Sequence, residues 1–174
     1  MRHCPKLGPI VELSHYNGNY KAYEEYLYGV FKADLYNRKV FYKNKPVSLK
    51  RFPEQLGKEF SFYHLTCKNF DHTGNEEDRE PDLRRCERLH WIKPSIETNH
   101  LVTCNQQCFV AYIKRVRNKD RVHLLNKEDR YMIVLEERED YYLLVTAYYI
   151  EHENTLRRKI SESEELYKQT KNAY

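Results

Sequence analysis

The segment Arg130-Tyr131-Met132-Ile133-Val134-Leu135-Glu136, followed after Glu137–Asp140 by Tyr141-Tyr142-Leu143-Leu144-Val145-Thr146-Ala147-Tyr148-Tyr149-Ile150, decides the fold class. Both runs are rich in aromatic and β-branched residues, which suit a pleated surface. Two more runs, Cys108–Val116 and Arg121–Leu125, precede them, separated by the short charged connections Arg117–Asp120 and Asn126–Asp129. Four such strands read as an antiparallel meander. In the last strand, alternation puts Tyr142, Leu144, Thr146, Tyr148 and Ile150 on one face and Tyr141, Leu143, Val145, Ala147 and Tyr149 on the other. The second set is the more apolar and is expected to face the core. Thr146 and Tyr148 then stand as two hydroxyls on an open face.

Outward from the sheet, Ala22, Tyr23, Tyr26, Leu27, Val30, Phe31 and Leu35 recur at three- and four-residue spacing, so Tyr20–Tyr36 reads as a packing helix. Lys39–Tyr42 and Pro46–Leu49 flank Lys43-Asn44-Lys45 as a hairpin. Phe60–Thr66 reads as a short strand with Phe62, His64 and Thr66 on one face and Tyr63 and Leu65 on the other. Asp71–Glu80 is a solvated loop, and Pro81 suits the first residue of a helix, where its missing N–H costs nothing. Leu83, Cys86 and Leu89 form the inner stripe of that helix, with Arg85 and Arg88 on another side. Beyond Glu151 the chain is highly charged, and Leu156, Ile160 and Tyr167 leave a weak helical stripe. The expected class is α+β, an antiparallel β-sheet packed by N-terminal helices with a C-terminal helix. Its parts are an irregular segment and packing helix (1–38), an α+β core (39–152) and a charged helix (153–174).

Composition bounds the function. The 174 residues carry 30 Lys+Arg against 26 Asp+Glu, a net +4 that by itself names no nucleic-acid partner. Residues 1–60 hold 11 basic and 6 acidic side chains, so the surplus is local. Sixteen tyrosines allow a sheet to pack on one face and bind on the other. Of these, Tyr23, Tyr26, Tyr63, Tyr141 and Tyr149 read as packing and Tyr148 as the one for chemistry. Forty per cent hydrophobic residues in regular patterns argue against disorder. No apolar run approaches the roughly 18–20 residues of a membrane helix, and no apolar stretch follows Met1-Arg2-His3-Cys4 as a signal peptide requires. No membrane partner and a cytoplasmic location are therefore expected. The five glycines form no phosphate-cradling pattern, which argues against P-loop, kinase and dinucleotide readings. Five cysteines without an export signal read as reduced thiols. His100-x3-Cys104-x3-Cys108 lacks a second tight ligand pair, so neither a metal nor another cofactor is expected.

On a strand, His64 and Thr66 would emerge together about 6.5–7 Å apart, a histidine and a hydroxyl suited to proton transfer. Arg79, Arg84, Arg85 and Arg88 surround the helix after the acidic loop, and Lys114, Arg115, Arg117, Lys119 and Arg121 crowd one hairpin. Arginine's planar fork matches phosphate, although Asp78, Glu80, Asp82 and Glu87 offer the first cluster ion-pair partners as well. RNA cleaves itself when its 2′-hydroxyl attacks the adjacent phosphorus. The reaction needs a base, an acid and donors for the phosphorane oxygens. His, Arg, Thr and Tyr supply all of these.

The combination of Phe62-Tyr63-His64-Leu65-Thr66, Arg79-Glu80-Pro81-Asp82-Leu83-Arg84-Arg85 through Trp91-Ile92, and Leu144-Val145-Thr146-Ala147-Tyr148 resembles the phage-associated branch of the barnase–EndoU–colicin E5/D–RelE (BECR) nuclease superfamily over about Lys39–Ile150. The resemblance implies a toxin- or effector-type endoribonuclease that needs no metal. Its partners would be RNA (tRNA, mRNA or rRNA) and a cognate antitoxin or immunity protein. Carried onto this chain, His64 is the acid/base residue and Thr66 orients it. Arg79 or Arg85 holds the scissile phosphate, and Thr146 and Tyr148 donate to it or position the nucleophile. Arg88, Lys114, Arg115, Arg117 and Arg121 would bind RNA. The alternative is a non-catalytic RNA- or protein-binding module on the same fold.

Overall fold

A computed structural model describes residues 4–70, 75, 78–97 and 108–172. Its centre is the expected meander, β5 (Phe109–Val116), β6 (Lys119–Asn126), β7 (Tyr131–Glu137) and β8 (Tyr142–Tyr149), after β1 (Val40–Tyr42) and β2 (Lys45–Ser48). The six strands lie in the order β1-β2-β8-β7-β6-β5. Arg117 and Asn118 join β5 to β6 with φ of 48° and 63°. Two left-handed residues match the twist of a tight hairpin. The sheet is mixed rather than wholly antiparallel: β2 runs parallel to β8, pairing Val47 with Tyr142 and Ser48 with Leu143.

Tyr131–Glu136 of β7 is buried without a break, which marks a strand covered on both faces. On one face Leu124, Tyr131, Ile133, Leu135, Leu144 and Ala147 pack with the N-terminal helices. On the other, Tyr112, Leu125, Met132, Val134 and Ile150 pack with Leu156, Ile160 and Leu166 of the C-terminal helix α5 (Glu153–Asn172). The C-terminal helix thus covers the face expected to be open. The alternation expected for β8 also fails. Val134 pairs with Thr146 and Leu135 with Leu144, so Val145 is an extra residue that shifts the register. Tyr142, Leu144 and Ala147 are buried, whereas Tyr141 is 36% exposed.

Helix α1 (Tyr20–Phe31) begins at Asn19, whose Oδ1 accepts from the Ala22 N–H at 3.1 Å. It buries Tyr23, Leu27 and Phe31 and continues as a π-turn, Lys32–Tyr36, that buries Leu35. Phe60–Thr66 is a helix, α2, not a strand. Five of its seven residues are buried, so apolar content could not distinguish the two states. Packing decides: the Phe62 ring meets Phe31 at 5.5 Å and Tyr28 at 5.1 Å, both edge to face.

Strand β3 (Cys67–Asn69) pairs with β4 (Arg79–Pro81). Pro81 therefore ends a strand, and the cap of α3 (Leu83–Cys86) is Asp82, whose Oδ1 accepts from the N–H groups of Arg84 and Arg85 at 3.0 and 3.4 Å. Leu83 is 42% exposed, while Cys86 and Leu89 form the inner side. After a 3-10 turn, α4 (Ile92–Ile96) completes the layer. Trp91 donates to the Gly8 carbonyl at 2.7 Å and lies edge-on to Tyr131. Among the described residues no helix is long and apolar enough to cross a membrane.

Candidate functional site

Helical residues four apart are neighbours, so α2 sets Phe60 beside His64 with their rings stacked at 5.4 Å. The two line a cleft of about 430 Å³ with Lys50, Ser61 and Leu65. Lys119 and Arg121 of β6, Glu136 of β7 and Arg138 line it as well, and Leu143, Leu144 and Val145 give it an apolar lining. Lys50 holds its ammonium 3.8 Å from the Phe60 ring centre.

Glu136 organises the cationic part. The β6–β7 register places it opposite Arg121. Its carboxylate accepts from Arg121 Nε and NH2 at 3.1 and 2.9 Å, and is paired with Lys119 at 3.3 Å and Arg138 at 2.5 Å. Burial alone would raise its pKa, but the hydrogen bonds from Arg121 and Lys119 and the charge of Arg138 hold it below the usual carboxylate range. Three cations meet one anion, and Lys50 adds a fourth, so the cleft carries a positive surplus. His64 is pushed down to about 4, first by burial and then by the charges of Arg79, Arg85 and Lys50. It is neutral at pH 7.

The remaining expected site residues are placed differently. Thr66 is buried and donates to the Phe62 carbonyl at 2.8 Å, the bond a helical threonine makes one turn back, so it does not orient His64. Side chains two apart on a helix point to different sides. Arg85 donates from NH1 to the His64 carbonyl at 2.9 Å and the Cys67 carbonyl at 3.4 Å, and reaches Thr146 Oγ1 at 3.5 Å. Asp82 lies 3.4 Å from its Nε. Arg79 donates to the Cys67 carbonyl at 2.8 Å. Both arginines thus close the C-terminal end of α2, where helix carbonyls lack partners. Tyr148 has the centre of its ring 5.9 Å from the same Arg85 guanidinium. Its hydroxyl is pushed up by burial, with Arg85 opposing. It lines a separate shallow hollow of about 190 Å³ with Lys68, Glu151, His152 and Thr155. His64 and Tyr148 therefore line different clefts.

Of the five basic residues expected to meet RNA, Arg121 lines the His64 cleft. Arg88 is buried, bonded to Glu87 at 2.7 Å and laid over the rings of Tyr149 and Trp91. Lys114 is paired with Glu162 of α5, and Arg115 pairs with Asp120 at 3.7 Å at the surface. Arg117 sits exposed in the β5–β6 turn. His100 and Cys104 lie outside the described residues. Lys50, Glu136 and Arg138 were not anticipated. The available signal was Glu136 itself, a carboxylate ending the apolar run Tyr131–Leu135.

The chain matches no protein-family model, no curated protein and no solved structure.

Proposed function

We propose that the chain is a metal-independent endoribonuclease of toxin or effector type, and that the His64 cleft is its site. One observation carries this reading: a neutral histidine and a surplus of cations, preset by Glu136, line one concave site of about 430 Å³. Such a site suits a phosphodiester. The 2′-hydroxyl gives its proton to His64, and its oxygen bonds to phosphorus. The bond from phosphorus to the 5′-oxygen breaks, and that oxygen takes a proton from the Lys50 ammonium. Arg121, Arg138 and Lys119 stabilise the non-bridging oxygens. In this assignment Arg79 and Arg85 position α2 rather than grip phosphate, because their forks are engaged with its carbonyls. RNA and a protein inhibitor remain the proposed partners, and the cytoplasm the proposed location.

The test is incubation of RNA with the purified protein in EDTA. Products ending in 2′,3′-cyclic phosphate and 5′-hydroxyl, lost in His64→Ala protein that is shown to be folded, are expected. Cleavage by that variant at the wild-type rate would remove His64 from the chemistry.

A second reading, RNA binding without turnover, is favoured by the same pKa: an imidazole held near 4 is a weak base. RNA retained intact, with affinity unchanged by His64→Ala, would select it.

A further inference from the structure

Two large apolar side chains are carried by a segment whose two ends line the basic cleft, and neither is buried in the core. Phe52 is 68% and Leu56 90% exposed, both on the segment joining β2 to α2. The chain leaves the cleft wall at Lys50 and returns to it at Phe60. Its ends are fastened together. The Lys50 N–H donates to Ser61 Oγ at 2.8 Å, and the N–H groups of Ser61 and Phe60 donate to the carbonyls of Lys50 and Arg51 at 2.9 Å. The tip is closed by two reciprocal 2.9 Å hydrogen bonds between Gln55 and Lys58. Leu56 and Gly57 form its turn with φ of 48° and 72°. Glycine takes that conformation freely, whereas Leu56 takes it at a cost and gains no burial in return. Arg51 lies 4.8 Å from the Tyr36 ring centre, and Lys58 is paired with Glu24 and Glu25, so the segment is held against the body. Phe52 is thus presented on a hydrogen-bonded scaffold only two residues, at most about 7 Å of chain, from Lys50.

We propose that Phe52 is a stacking platform for an unpaired nucleobase, and that the cleft takes single-stranded nucleic acid with its phosphates on Lys50, Arg121 and Arg138. The inference rests on the phosphodiester reading of the cleft and adds the kind of strand it accepts. Every base has a face that an aromatic ring can stack on, and a cationic track beside exposed aromatics is the general solution for single strands. A duplex keeps its base faces against one another and offers none to Phe52. Apolar tips with flanking cations also suit an anionic bilayer. A bilayer surface, however, does not enter a concave site to reach Arg121 and Arg138, whereas a phosphate does. The charge surplus inside the cleft therefore favours a strand.

The experiment is fluorescence anisotropy with a labelled single-stranded 2′-deoxy oligonucleotide, which has no 2′-hydroxyl and cannot be cut by the proposed route. The comparisons are an abasic strand of equal length and charge, the corresponding duplex, and vesicles with and without anionic lipid. Wild-type protein is expected to bind the base-bearing strand more tightly than the other probes. Phe52→Ala should weaken that binding about tenfold and leave abasic binding unchanged, while Phe52→Trp retains it. Equal binding of abasic and base-bearing strands, no effect of Phe52→Ala, no binding at all, or a preference for anionic vesicles would each overturn the proposal. Base-dependent binding together with intact RNA would uphold the platform and refute the nuclease. RNA cleavage with no base preference would do the reverse.

Discussion

Arg85 donates a 2.9 Å hydrogen bond to the main-chain carbonyl of His64, so the guanidinium anchors the helix that carries the candidate base rather than facing the cleft. The same nitrogen reaches the Cys67 carbonyl and the Thr146 hydroxyl, and Asp82 balances the charge. Arg85→Ala should therefore act first on stability. Removing a largely buried charged donor from several acceptors costs about 3 kcal/mol. The expected outcome in denaturant titration is a lower midpoint, with binding of a phosphate-bearing probe largely intact wherever the protein remains folded. A normal midpoint with lost binding would return Arg85 to the phosphate.

Glu136 poses the opposite case. Glu136→Gln keeps the shape of a nearly buried side chain but leaves Lys119, Arg121 and Arg138 clustered without their counter-charge. Breaking a buried pair from one side costs about 3–5 kcal/mol, less here because the cations are partly solvated. An anion entering the cleft restores the balance. Thermal denaturation should thus show a lower Tm for Glu136→Gln, and inorganic phosphate should raise the variant's Tm more than the wild type's. Equal phosphate shifts in both proteins would detach the anion site from Glu136.

The limits of sequence reading follow from these same residues. The meander was legible because β-branched runs alternate with short charged turns, and α1 because its apolar spacing is long and regular. The Phe60–Thr66 segment reads equally as strand or helix because seven residues fit either period, and the Phe31 and Tyr28 rings that decide it lie about thirty residues away in sequence. The bulge at Val145 exists only relative to β7, so no pattern within β8 reveals it. The candidate site suffered most. Arg121 and Glu136 meet through strand register, and Lys50 joins them through the turn into α2, so the cluster has no compact motif. His64 was visible as a residue type, but its neighbours were not.

Acid titration should expose two of the histidines that burial holds neutral. His64 and His123 both fall to about 4, each first through burial. An unfolded histidine takes up its proton near 6.5, while the folded one resists until about 4. The unfolded state therefore binds more protons across that window, and stability falls as pH is lowered through it. For His123, buried and stacked on Tyr112 at 5.0 Å, the full loss is about 3 kcal/mol. Denaturant midpoints measured from pH 7 to pH 4 should decline, and His123→Gln should flatten the slope. A decline of the same steepness without His123 would assign it elsewhere.

Glu162 fastens α5 over the second face of the sheet. It accepts from the Tyr112 hydroxyl at 3.2 Å and pairs with Lys114 of β5 and, at 3.2 Å, with Lys159 of its own helix. Burial opposes its charge, but the hydrogen bond from Lys114 and the charge of Lys159 draw its pKa down to about 2. A carboxylate depressed in this way contributes stability that is complete above about 4.5 and is lost as pH falls toward 2. Glu162→Gln should therefore loosen α5 already at neutral pH, while the helical layer on the opposite face keeps its protection. Hydrogen exchange reads the two apart. Faster exchange is expected in α5, with α1 and α2 unchanged, because the apolar contacts of Leu156 and Ile160 belong to a core separate from that of Leu27, Phe31 and Phe62. Uniform acceleration across both layers would mean that the helix and the sheet open as one unit.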